Sequence, residues 1–152
     1  MRTVDTSDTS RSLGPEDAAD RMFAAHEEDS AWLDAFTERL DRLRGGASFA
    51  RTIEVWGLSQ AEAARLFGVS RQAAGKWLRK GAPAERASAM ADLAAATDLL
   101  VRHLKRDRIP AVVRRPSPAL DGESLVALWG RGETRTVLAA CRDMFRFDRA
   151  HA

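Results

Sequence analysis

Between Gln60 and Arg79 the run QAEAARLFGVSRQAAGKWLR sets residues that could read DNA among the small, glycine and apolar residues needed to hold them. Ala64 is small where two helices would cross, Gly68 stands where a tight turn takes positive φ, and Val69, Ala74 and Trp77 point inward. That register turns Arg71, Gln72, Gly75, Lys76 and Arg79 outward on the second helix. An Arg-Gln pair at a helix N-terminus suits the major groove, since Arg can chelate guanine O6 and N7 while Gln pairs with adenine N6 and N7. Lys76, Arg79 and Lys80 lie further along and are placed for phosphates. With Ser70 opening the helix, the candidate DNA-binding set is Ser70, Arg71, Gln72, Gly75, Lys76, Arg79 and Lys80. An ordinary helical hairpin with solvated charges is the competing reading, and the coincidence of all these positions disfavours it. Gly75 either permits close approach to DNA or is a tolerated weakness worth about 1 kcal/mol relative to Ala.

The elements that must position these residues carry their own signals. Ser59 with Glu62 three residues on is a capping box, and Ser70 can cap the second helix. Ser48 to Trp56 reads as a short buttressing helix with Phe49, Ile53 and Trp56 as core, Trp56 and Trp77 sharing one small core. Gly81-Ala82-Pro83 stops the recognition helix, and an Ala-rich helix runs from about Ala84 to Lys105 with Met90, Leu93, Thr97, Leu100 and Leu104 on one face. A domain boundary is expected between residues 81 and 90. Upstream, residues 1–14 read as a disordered leader, Pro15 as the first turn of a helix, and Gly45-Gly46 as the end of a helical segment broken near Asp29-Ser30. Leu33, Phe36, Leu40 and Leu43 form an apolar stripe in that segment. It can pack on its own domain or form a dimer seam, and its length alone does not choose.

With 45% hydrophobic residues, no Tyr and no clear strand alternation, the composition predicts an all-α fold. The formal charge of +2 conceals an asymmetry: residues 1–44 hold 6 basic and 11 acidic side chains, whereas residues 45–152 hold 18 basic and 11 acidic ones. The basic part contains the helix-turn-helix, as phosphate binding requires. A single cysteine, Cys141, excludes an intrachain disulfide, and no apolar run or signal-peptide core is present, so a cytoplasmic protein is expected. His26, His103 and His151 are too scattered for a local zinc site, and no metal is expected. GVSRQAAGK has six residues between its glycines where a P-loop needs four, and Gly130-Arg131-Gly132 lacks the rest of a dinucleotide fingerprint. Neither a cofactor nor catalysis is expected.

The last third reads as Pro110 starting a short helix to Arg114, then Pro116 and Pro118 imposing an extended elbow anchored by Leu120 and closed by an Asp121-Gly122 turn. Leu125, Leu128 and Trp129 form one face of a short helix, and Thr134 can cap a final helix whose apolar face is Val137, Leu138 and Cys141. The lead-in PSPALDG, with Pro116 or Pro118, Leu120 and Gly122, and the later Gly132 resemble the toxin-binding domain of the Xre/MbcA/ParS antitoxin family. The resemblance covers roughly residues 50 to 147, helix-turn-helix first and toxin-binding domain last. Val112 and Val113 stand where that family commonly has Trp-Leu, and Ser124 where it commonly has proline. The resemblance implies an antitoxin that binds and neutralises a RES-domain toxin, an NAD-consuming protein, and represses its own operon at a duplex operator as a homodimer or higher hetero-oligomer. The C-terminal segment, with Phe145, Arg146, Phe147, Asp148 and Arg149, would obstruct the toxin. The organisation expected is a leader (1–14), an N-terminal helical segment (15–46), a helix-turn-helix domain (47–83), a small helical toxin-binding domain (84–147) and a tail (148–152). The competing function is a DNA-binding regulator whose C-terminal domain only oligomerises or binds a different partner.

Overall fold

The computed structural model describes residues 13–150, with side chains through Arg146; the leader expected over 1–14 therefore lies outside the described residues but for Leu13 and Gly14. The helices are α1 (Pro15–His26), α2 (Ser30–Trp56), α3 (Gln60–Leu66), α4 (Arg71–Lys80), α5 (Ala87–His103), α6 (Ile109–Arg114), α7 (Leu125–Gly130) and α8 (Thr134–Ala150). Short 3-10 turns lie at Ala84–Arg86, Arg106–Arg108 and Pro118–Leu120. Among the described residues there is no strand, only an isolated antiparallel bridge between Ser117 and Glu123, and the all-α expectation holds. No described helix is long and apolar enough to cross a membrane.

Packing divides the chain into two units, residues 1–38 and 39–152. In the first, α1 buries none of its residues. The break expected near Asp29 is present, because the Asp29 carboxylate accepts the Trp32 amide at 3.0 Å and restarts the helix. His26, Trp32 and Phe36 stack in series, with ring centroids 3.5 and 5.1 Å apart.

Gly45-Gly46 does not end the helix as expected, and there is no separate buttressing helix from Ser48: α2 runs unbroken from Ser30 to Trp56. The reason is steric. A Cβ on Gly46 would stand 2.6 Å from the Trp77 carbonyl oxygen and 3.1 Å from the Gly81 Cα, so the glycine is where the backbone of α2 meets the end of α4. Gly81 is pressed from the other side: at φ 94° its own Cβ would fall 2.5 Å from the Arg42 carbonyl oxygen. The Ala82 amide donates to that same carbonyl at 2.9 Å, and the Arg39 guanidinium reaches the Lys80 carbonyl. These contacts fasten α2 to the end of α4.

The boundary expected between 81 and 90 is not a break in packing. One core runs from Phe49, Trp56, Phe67 and Trp77 through Met90, Leu93 and Leu100 of α5 to Trp129, Val137 and Cys141. Burial pushes the Cys141 thiol up to about 12, so it is a neutral apolar filler near neutral pH. Leu104, expected on the buried face of α5, is half-buried at the helix end. Thr134 was expected to cap α8 but is its first residue, and its hydroxyl donates to Asp92 at 3.0 Å instead.

Gly46→Ala is expected to lower stability by about 1–3 kcal/mol through overpacking. An exposed helical glycine would instead gain about 1 kcal/mol on the same change. Urea unfolding at unchanged m-value checks the sign, and a raised midpoint would refute the close approach.

Candidate nucleic-acid interface and C-terminal groove

The pair α3 and α4, with the turn between them, is assembled by a few short-range bonds. Ser59 Oγ accepts the Glu62 amide at 3.1 Å while Glu62 Oε2 accepts the Ser59 amide at 2.7 Å, completing the capping box at the start of α3. Gly68 turns the chain at φ 66°, and Ser70 Oγ accepts the Ala73 amide at 3.0 Å to open α4. Gln60 Nε2 donates to the Arg71 carbonyl at 3.0 Å, tying the first residue of α3 to the first of α4. Ala64, Ala74 and Trp77 are buried, and Trp77 meets Phe49 and Phe67 edge-on at 6.0 and 5.6 Å. The Arg86 guanidinium lies over the Phe67 and Trp77 rings.

Ser70, Arg71, Gln72, Lys76, Arg79 and Lys80 are all exposed on or beside α4. Among the described residues none of its four cations joins an ion pair, so the face is free to meet an anion. Gly75 departs from expectation. It is buried, because the Gln60 amide that bridges to Arg71 lies across it; a Cβ would stand 2.9 Å from Gln60 Nε2 and 3.1 Å from Arg79 Nη1. Its smallness serves the junction between α3 and α4.

Sequence reasoning missed Arg114. Its guanidinium donates to the Gly57 carbonyl at 2.8 Å and to Glu62 Oε1 at 3.3 Å, so α6 holds the entry to α3 from 52 residues away. No local pattern announces such a contact. It also missed a groove of about 810 Å³ in the C-terminal part, floored by Val112, Leu120, Leu125 and Met144 and flanked by Arg115 and Arg146. The proline elbow builds one wall: the Ser117 amide donates to the Glu123 carbonyl and the Gly122 amide to the Ser117 carbonyl, with Asp121 and Gly122 at φ 54° and 83°. Arg131 pins the elbow's far end through Glu123 at 3.2 Å and Glu133 at 3.3 Å.

The tail is placed differently from expectation. The helix α8 continues to Ala150 rather than giving way to a tail at 148. Phe145, expected among the toxin-binding residues, is 6% exposed and stacks on His103 with centroids 4.4 Å apart, so it belongs to the core. Arg146 is exposed, paired with Asp143 at 3.6 Å. The side chains of Phe147, Asp148 and Arg149 lie outside the described residues.

No family model matches the sequence, and no curated protein matches it. Among solved structures, a chain in the crystal structure of the M. tuberculosis MbcT-MbcA toxin-antitoxin complex is similar, with a TM-score of 0.54 and 24% identity. The match covers 65% of this chain and 91% of that chain. At this identity the likeness is one of fold.

Glu62 yields a pH prediction. Chiefly the Ser59 amide, with the charge of Arg114 assisting against partial desolvation, holds its carboxyl below the ordinary 4.5. A depressed folded pKa means that the stabilisation is fully present above 4.5 and is lost as pH falls through the folded value. Glu62→Gln keeps a capping acceptor but not the charge. Its melting temperature should lie below the wild type at neutral pH, and the two curves should converge only as pH falls below 4.5. A gap independent of pH would remove the charge from the account.

Proposed function

We propose that the chain is an antitoxin that reads an operator with α4 and neutralises a RES-domain, NAD-consuming toxin through its C-terminal part. The observation that carries this reading is the fold shared with a chain of a toxin-antitoxin complex over nine-tenths of that chain's length. The exposed Arg71, Gln72, Lys76, Arg79 and Lys80 support the operator half: two side chains with base-reading chemistry precede three phosphate-binding cations on one short helix. Exposed Arg146, which flanks the apolar groove with Met144, supports the toxin half. The reading is non-enzymatic, with no cofactor, and places the protein in the cytoplasm with its operator.

On DNA, Arg71→Ala or Gln72→Ala should relax discrimination at one base pair by about 1–3 kcal/mol. Lys76→Ala should weaken all duplexes alike and lower the slope of log K against log salt by about one. Binding to operator and scrambled duplexes across a salt series separates the two. Identical behaviour of both kinds of variant would refute this assignment of the α4 face.

On the toxin, the burial of Phe145 sets where the chain can be cut. Deletion of residues 147–152 should leave the fold and DNA binding intact while impairing protection. Deletion from 145 also strips Phe145 from the core, a loss on the scale of about 3–5 kcal/mol for a buried Phe. Cellular NAD is measured on co-expression of each chain with a RES-domain toxin taken from an adjacent reading frame. Equal protection by full-length and 1–146 chains removes the last turns of α8 from the mechanism, and protection by neither removes the antitoxin reading.

A further inference from the structure

Among the described residues one face of α2 is only partly covered: Leu33 and Phe36 are half-buried, and Phe36 stacks on Trp32. Phe49, Thr52, Val55, Trp56 and Gly46 are buried, while Leu40 and Leu43 are 39% and 43% exposed, with Ala47 and Ala50 exposed beyond them. Leu33, Phe36, Leu40, Leu43, Ala47 and Ala50 follow one another at steps of three and four residues, the spacing of a two-helix seam, and α2 is a single helix over the whole stretch. We propose that α2 pairs antiparallel with α2 of a second copy of this chain, Leu40 of each against Leu43 of the other.

The pattern of sizes selects this occupant and this direction. Centring the pair between positions 40 and 43 sets Phe36 against Ala47 and Leu33 against Ala50, so each large side chain faces a small one and the layers interdigitate. A parallel pair would oppose Phe36 to itself and leave alanine facing alanine, crowded at one end and void at the other. Charge agrees. In a parallel pair Arg39, just before Leu40, would flank Arg44 of the other copy on both sides of the seam. The antiparallel pair brings Arg39 toward Gly46 and Arg44 toward Thr37, and neither meets its like. A seam whose halves complement each other in this way fits a copy of itself better than an unrelated helix.

The seam does not depend on the DNA or toxin readings, and its test reads mass and connectivity only. Full-length protein should sediment as a dimer, and the Leu40→Asp, Leu43→Asp chain should sediment at half that mass with unchanged helicity. Since both leucines are exposed, the substitutions leave the core alone. Orientation is read by cysteine pairing, with Cys141 buried and silent. A mixture of Leu40→Cys and Leu43→Cys chains should cross-link across positions under mild oxidation, far more than either chain alone, because a disulfide tolerates only a narrow Cβ separation. This second measurement decides by itself if the aspartates disturb the helix. A monomeric wild type, a double variant that stays dimeric, or cross-links favouring like positions would each overturn the proposal.

Discussion

The indole N–H of Trp56 is sealed from water, and where it finds a partner governs how the helices of residues 39–152 meet. It donates to Thr97 Oγ1 at 3.0 Å; the Thr97 hydroxyl in turn donates to the Leu93 carbonyl at 2.7 Å, and Thr52 Oγ1 stands 3.4 Å from Thr97 Oγ1. Because Thr97 has spent its only proton on Leu93, the Thr52 hydroxyl must be the donor to it. Leaving a buried donor without its acceptor costs about 1–3 kcal/mol, so α2 and α5 are held in one register. The same indole meets Trp129 of α7 edge-on at 5.5 Å, and Trp129 meets Phe67 at 5.2 Å. Phe67 follows α3 directly, so the aromatic set links the turn between α3 and α4 with α7. What would otherwise be two small domains, each short of core, share one.

That sharing explains which parts of the molecule were legible in the sequence. Caps and turns depend on neighbours in the chain, and Ser59, Glu62, Gly68, Ser70 and Gly81 announced α3 and α4 with their ends. The stripe on α5 and the proline elbow were equally local. The failures were tertiary. Gly45-Gly46 has the composition of a helix stop, and its actual role, close approach to Trp77 and Gly81, is set by a helix thirty residues on. Gly75 was placed correctly on α4 but on the wrong face, because the Gln60 side chain that covers it belongs to α3. Phe145 lies on the extension of the apolar face of α8, and only the position of His103 decides that the ring is inside.

The candidate site shows the same division. Arg71, Gln72, Lys76, Arg79 and Lys80 were readable because helical register alone turns them outward once the buried positions are known. The groove was not, since Val112, Leu120, Leu125 and Met144 come from four elements and meet only when the elbow folds back on α8. Arg114 belongs with it: an arginine beside a run of arginines and prolines carries no mark of the carbonyl it will find.

Arg114 also constrains how the two faces can be studied. Helix α6 is six residues long; Arg114 at its end grips Gly57 and Glu62, while Val112 and the adjoining Arg115 line the groove. The ion pair to Glu62 is partly exposed and contributes little by itself, but the bond to the Gly57 carbonyl fixes the turn that precedes α3. A change at Arg114 therefore acts on the entry to α3 and on the groove wall together. Loss of both proposed binding activities in such a variant would report the shared support and not a contact with either partner. Attribution to one face has to come from side chains that the fold does not use, which on α4 are the exposed cations and Gln72, and on α8 are Met144 and Arg146.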